Sequence, residues 1–364
     1  MSTSPISSIK KLLDQNNLDA VLISSLPNIV YLTNFYHFSE MEREAFLLIT
    51  PKNNYIFTDG RYSHAVITTL KNFQLLKLSM TNPFTKLLEK VLKKERVKTL
   101  GLEENNLTVA EYKKISSVIN LTKHFDLKSL RVIKDQEEIK KIQVACEIGD
   151  KAFTYIVKHI KPGITEKELA FKFEAFIRES GCIPSFPTIV AFMENAAVPH
   201  HKTSDRKLKK NELILIDSGV KYQEYCSDMT RTFFLGNATT EQKNVYQAVL
   251  EAQSLAIQQF NNELMKKTKS AKLKNLDAAA RKYIISKGYP SIPHSLGHGI
   301  GLEVHEAPTL FPKSKETTKN GMVFSIEPGI YLPNKFGVRI EDLFAVVNNK
   351  LVQLTKSPSK LLEI

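Results

Sequence analysis

Asp217 ends the apolar run Leu213 to Ile216, and Asp228 follows within a second strand-like stretch at 226–235. Alternation along that stretch places Asp228, Thr230 and Thr232 on one face and Met229, Arg231 and Phe233 on the other. The pattern recurs downstream. "GMVFSIEPGIY" ends an apolar strand in Glu327, and "FGVRIEDLFAVV" carries Glu341 in the middle of another, with Arg339 on its face and "LPNKFG" as the hairpin connection. A carboxylate inside apolar strand sequence has to be paired or metal-bound, because burying a free charge costs several kcal/mol or neutralises the group. Four of them crowded together repel, and divalent cations are the usual remedy. One imidazole added to the four gives five ligands, enough for two ions if some carboxylates bridge. Such an oxygen-rich set suits Mn2+ better than the thiolate-rich setting of structural zinc. The stretch "LGHGIGLEVHEAP" at 296–308 offers His298 and His305, seven positions apart. Their spacing alone leaves open whether they share one metal or have different jobs.

The elements that must position these residues fall into two groups. Ile6, Ile9 and Leu13 form one helical face, "DAVLIS", "EAFLLIT" and "NYIFTDG" read as strands, and "PKNN" turns between the last two. A helix follows on Phe84, Leu87, Leu88, Val91 and Leu92, then the strand "KTLGLE". These make a small α/β domain over 1–128. A second unit, 129–364, opens with Asp135 and Glu138 in a capping-box pattern ahead of Ile139, Ile142, Cys146, Phe153 and Ile156 on one helical face. Another helix starts at Thr165 and Glu168, and two more are predicted at 240–260 and 276–287. Strands are predicted at 212–220, 226–235, 321–327 and 338–347. Consecutive helices with antiparallel strand pairs indicate an α+β class.

Composition narrows the function classes. The 364 residues are 42% hydrophobic and 24% charged, which excludes a disordered chain, and no apolar run approaches membrane-spanning length. The net charge of +13 is spread over lysines in segments such as "KVLKKERVK" and "KSKETTK" without interleaved aromatics, so neither a nucleic acid nor a membrane is expected as partner. Cys146, Cys182 and Cys226 are odd in number and in no paired motif, which argues against a disulfide framework. With no secretory pattern at the N-terminus, the expected location is cytoplasmic.

Together "DSGVKYQEYCSD", "GHGIGLEVHE", "SIEPGIY" and "VRIED" resemble the pita-bread metallopeptidases, in particular the proline-specific branch of aminopeptidase P and Xaa-Pro dipeptidase. "FTDGRY" and the α/β pattern before it are similar to that branch's creatinase-type N-terminal domain. The resemblance implies an α/β creatinase-type domain at 1–128 and an α+β pita-bread catalytic domain at 129–364. It implies Asp217, Asp228, His298, Glu327 and Glu341 as ligands of two divalent ions, Mn2+ or else Co2+ or Zn2+, with Asp228 and Glu341 bridging. It also assigns His305 and His200 to substrate and transition state, with His201 as the alternative to its neighbour, and Glu327 to proton transfer. Arg339 would pair with and orient a ligand carboxylate. Tyr222, Tyr225 and Tyr331 read as packing residues.

The activity implied is hydrolysis of the Xaa-Pro bond at the N-termini of proline-containing peptides, by a homodimer. Aminopeptidase P is the expected specificity, on the expectation that the N-terminal domain walls the cleft without closing it. Xaa-Pro dipeptidase is the alternative, and a noncatalytic pita-bread partner-binding protein is the alternative of another class.

Overall fold

The computed structural model describes residues 4–265 and 269–364, which divide into two units, Met1–Arg131 and Val132–Ile364. In the first, a six-stranded mixed sheet runs in the order Gln74–Lys77, Asn54–Thr58, Ala45–Ile49, Ala20–Ile23, Thr99–Leu102, Leu121–His124. Strand periodicity builds a core on each face. Val21, Ile23 and Leu47 pack with Ile9 and Leu13 of the first helix. Ala20, Leu22 and Leu48 pack with Leu88, Val91 and Leu92 of the Phe84–Lys94 helix. Because the central strand is covered on both faces, it reads as an uninterrupted apolar run.

In the second unit the strand pairs are antiparallel, and the long helices are Gln136–Val157, Glu166–Glu179, Thr240–Leu264 and Leu273–Ser286. Capping boxes start the first two, through Asp135 with Glu138 and Thr165 with Glu168. Cys146 is buried on the inner side of the first. The strand Glu212–Ser218 lies between Ile189–Phe192 and Met229–Leu235, with Asp217 opposite Thr230. One face of this sheet sends Ile214, Ile216, Met229 and Phe233 toward the first helix pair. The other sends Leu213 and Leu215 toward the second pair, and by alternation Asp217 and Thr230 lie on that face.

A five-stranded sheet, in the order Glu306–Leu310, Gly297–Gly299, Val323–Ile326, Asp342–Val347, Lys350–Gln353, supplies the remaining residues. Here the expectation of one strand over 338–347 is corrected. The ladder between Val323–Ile326 and Asp342–Val347 ends at Ile326 opposite Asp342, and a separate hairpin of Gly329–Leu332 with Phe336–Arg339 begins at Gly329 opposite Arg339. Pro328 has no N–H to continue the ladder. Glu341 therefore sits at the junction of two strands, where its N–H donates to Thr230 O at 3.2 Å. Its carbonyl accepts from Arg231 Nη1 at 2.6 Å.

The "GHG" sequence has a steric reason. Gly297–Gly299 is squeezed between two neighbouring strands. A Cβ at 297 would stand 1.9 Å from Ser325 O, and one at 299 would stand 2.2 Å from Ala307 O. Both obstacles are backbone, so neither can move aside. Gly297→Ala is expected to lower stability by about 1–3 kcal/mol, as overpacking does. Urea unfolding checks this; an unchanged midpoint would mean that the strand has more room than these distances give it.

Candidate metal centre

Strand ends and irregular joints bring the acidic residues to one place. Asp217 lies at the end of Glu212–Ser218, Asp228 just before Met229–Leu235, and Glu327 and Glu341 face each other across the break in the downstream hairpin. All except Glu327 are under a tenth exposed. His298, in the middle of the short Gly297–Gly299 strand, points its Nε2 at Glu327 Oε1, 3.2 Å away, and at Asp228 Oδ2, 3.7 Å away. Its Nδ1 lies 3.1 Å from Gly299 O. That carbonyl can only accept, so the Nδ1 proton is held there and Nε2 is left for the acidic group. One donor atom each from Asp228, His298 and Glu341 falls within 4.8 Å of the others.

Each of three carboxylates has one oxygen left over. Asp217 Oδ2 accepts from Arg339 Nη2 at 2.6 Å, and Glu341 Oε2 accepts from Thr230 Oγ1 at 2.8 Å. Asp217 Oδ1, Glu341 Oε1 and Asp228 Oδ1 are buried without a hydrogen-bond partner among the described residues. Buried acceptors are normally satisfied, and an orphan carboxylate oxygen is costly. Three in one pocket, all hard oxygen donors beside one imidazole, fit a divalent cation.

The electrostatics give the same picture. Burial, and then the charges of Glu341, Asp217 and Glu327, push the Asp228 carboxyl well above its ordinary range. Burial followed by Glu327 and Asp217 does the same to Glu341. Glu327 goes the other way: burial would raise it, but the hydrogen bond and charge of His298 outweigh this and bring it to about 2. His298 would be lowered by burial, yet Glu327 raises it to about 9. Without metal, then, His298 and Glu327 form an ion pair beside two carboxyls that resist ionisation.

The two histidines of the opening motif have different surroundings. Residues 300–305 form a hairpin loop, with Gly299 paired to Glu306. His305 is therefore folded back beside His298, with ring centroids 4.3 Å apart and planes at 77°. His298 is buried among the acids and His305 is exposed to solvent. Partial burial of its ring, and then the charge of His298, hold the His305 imidazole below its ordinary pKa. His200 is also exposed, directly after Pro199, whose carbonyl accepts from Arg339 Nη1 at 3.3 Å. His201 Nε2 instead lies 2.9 Å from Glu166 Oε2, which ties it to the fold.

Arg339 links the acids to their surroundings. Besides Asp217 it donates to Thr230 Oγ1 at 2.9 Å, to Tyr331 OH at 3.0 Å and to Pro199 O at 3.3 Å. Tyr331, read from sequence as packing, thus has a polar role, and its hydroxyl also lies 2.9 Å from His294 Nε2. His294 was missed in the sequence. The available signal was a third histidine, four residues before His298 in the same loop-rich stretch.

Comparisons with known proteins identify the family. Residues 140–348 match the model of metallopeptidase family M24, and residues 5–133 match the creatinase/prolidase N-terminal domain. The chain is 34% identical over 370 residues to a Xaa-Pro dipeptidase of Pyrococcus horikoshii, with 98% of each chain covered. Its fold matches a solved Xaa-Pro dipeptidase from Bacillus anthracis with a TM-score of 0.90 at 32% identity, covering 99% of both chains. It also matches an X-Pro aminopeptidase from Thermotoga maritima with a TM-score of 0.83 at 34% identity, covering 96% of this chain and 98% of that one. A creatinase/prolidase-type N-terminal domain followed by a pita-bread domain with clustered carboxylates places this chain in metallopeptidase family M24, to which it belongs.

Proposed function

We propose that the protein is a metal-dependent Xaa-Pro dipeptidase, cleaving the bond between an N-terminal residue and proline. The observation that carries the reading is the group of buried carboxylates around His298 with three unsatisfied oxygens. Asp217, Asp228, His298, Glu327 and Glu341 would hold two divalent ions. Bound, such ions supply Lewis acidity, lowering the pKa of water and polarising the scissile carbonyl. Their oxygen-rich ligands favour Mn2+, with Co2+ or Zn2+ as alternatives.

The chain's own side chains do the rest. Glu327, held as a carboxylate beside His298, takes the proton of the attacking water and passes it to the proline nitrogen as the bond breaks. His305, whose ring lies against His298, and His200, directly after the Pro199 held by Arg339, donate hydrogen bonds to the carbonyl oxygen as negative charge develops there. Arg339 fixes Asp217 through a contact of 2.6 Å and keeps its carboxylate oriented.

The preference for dipeptides replaces the aminopeptidase expected from sequence. The names of the relatives at 34% and 32% identity support it, and the Thermotoga maritima enzyme keeps the aminopeptidase as the second reading. A dipeptidase must satisfy the substrate's carboxylate. Arg339, the strand-borne cation beside the acids, is taken up by Asp217, Thr230, Tyr331 and Pro199. On this reading another cationic or N–H group has to take it. The three buried free cysteines suit the reducing cytoplasm, and a homodimer belongs to the same reading.

Chelation should abolish hydrolysis and Mn2+ restore it. In metal-free protein Asp228→Asn should raise stability, because it removes a carboxyl that the fold must hold protonated against its tendency to ionise in water. Asp228 is raised above its ordinary 3.8, so its contribution to wild-type stability is complete below that pH and is lost as pH rises toward its folded value. The advantage of the variant should therefore widen with rising pH in thermal scans, and its gain on adding Mn2+ should shrink. A variant no more stable than metal-free wild type would count against the crowding. His305→Ala should lower kcat by roughly 10² with metal content unchanged, while His298→Ala should lose metal. Equal metal loss in both would remove the distinction between them. For specificity, kcat/KM for a dipeptide Xaa-Pro should exceed that for Xaa-Pro-Yaa. A tripeptide cleaved more efficiently would restore the aminopeptidase.

A further inference from the structure

Glu166 opens the Glu166–Glu179 helix, and from the sequence it looks like an ordinary first-turn acid. Its side chain is instead fully buried. Oε1 accepts from Phe192 N–H and from Asn195 Nδ2, each at 2.8 Å. Oε2 accepts from Ser204 Oγ at 2.6 Å and from Ser204 N–H at 2.9 Å, and lies 2.9 Å from His201 Nε2. Burial pushes this carboxyl up, but donation from Ser204, Asn195, His201 and Phe192 outweighs it and holds the group below its ordinary range.

All five donors belong to one segment, 192–204, and Phe192 and Ser204 stand at its two ends. His200 lies between them. The far side of the same segment is pinned by Arg339, which donates to Pro199 O at 3.3 Å while holding Asp217 at 2.6 Å. The loop is thus bolted to the helix start on one side and to the acidic group on the other. Of the adjacent histidines, His201 belongs to the bolt, and His200 is left exposed directly after the Pro199 that Arg339 holds.

We infer that Glu166 is a positioning residue which sets His200 against the metal centre by closing the 192–204 loop around its carboxylate. Only a carboxylate serves here. A glutamine of the same shape turns one acceptor into an NH2 group, which would face donors with a donor, and unpaired buried donors are costly. The catalytic half of the inference rests on the peptidase reading above, since it requires His200 to contact substrate; the ordering of the loop does not.

The test uses full-length, metal-loaded wild type, Glu166→Gln, His200→Ala and the double variant. Hydrogen exchange of amides in 192–204 should quicken in Glu166→Gln, with the strands Glu212–Ser218 and Met229–Leu235 unchanged; unaltered exchange in the loop overturns the inference whatever the activity. On a Xaa-Pro dipeptide, Glu166→Gln should lower kcat/KM by about 10²-fold when His200 is present, the scale of a small misplacement. It should cost less than about 3-fold when His200 is already alanine, since residues acting through one another are not additive. Losses that multiply overturn the inference, because Glu166 would then act through the fold at large. Should Glu166→Gln not fold, His201→Ala and Ser204→Ala remove side-chain donors from the loop side and carry the same cycle and the same exchange measurement. A wild type that hydrolyses no Xaa-Pro peptide sinks the peptidase reading, and the exchange result then decides the positioning role alone.

Discussion

Asp217, Asp228, Glu327 and Glu341 are held together largely out of water, and like charges so placed oppose the fold that brings them there. Desolvation alone costs several kcal/mol per ion, and their mutual repulsion adds to it. The chain's own groups offset only part of this. Arg339 answers Asp217, His298 answers Glu327, and Thr230 satisfies one oxygen of Glu341. Three oxygens are left bare. A polar cluster in this state is worse for stability than an apolar core, and a positive charge arriving from outside would satisfy it.

The surrounding structure keeps that cluster from relaxing. Gly297 and Gly299 let the His298 strand lie closer to its neighbours than any side chain would permit. Arg231 holds the junction at Glu341 from behind, through the Glu341 carbonyl and Asp342 Oδ1, each at 2.6 Å. Asp342 is further fixed by Gln253 Nε2 at 3.0 Å and Thr355 Oγ1 at 2.7 Å. These contacts cost the acids their freedom to turn toward solvent. Rigid placement of this kind is what a ligand set needs if binding is to spend little on ordering it.

Much of the site was legible because carboxylates at the ends of apolar runs are anomalous. Asp217 and Glu327 declare themselves in this way, and strand alternation put Asp228 with Thr230. Glu341 was found but misplaced: alternation with Arg339 continues across 340–341, so one strand and two strands read alike, although the hydrogen-bonding partner changes there. Tyr331 and His294 were not legible as a pair, since a hydroxyl and an imidazole that meet across 37 residues leave no local period. Glu166 was hidden by its normal place in a first turn; its environment exists only once the 192–204 segment has folded over it. The choice between His200 and His201 likewise depended on which of them that carboxylate would capture.

The central claim is that this acidic cluster is incomplete without metal, and calorimetric titration tests it most directly. Metal-free protein would be titrated with Mn2+ at pH 7 in buffers of different ionisation enthalpy. The account predicts saturation near two ions per chain, with protons released into the buffer, because His298 and the raised carboxyls of Asp228 and Glu341 must give theirs up to bind. Binding with no dependence on the buffer, or no saturable binding at all, would contradict it.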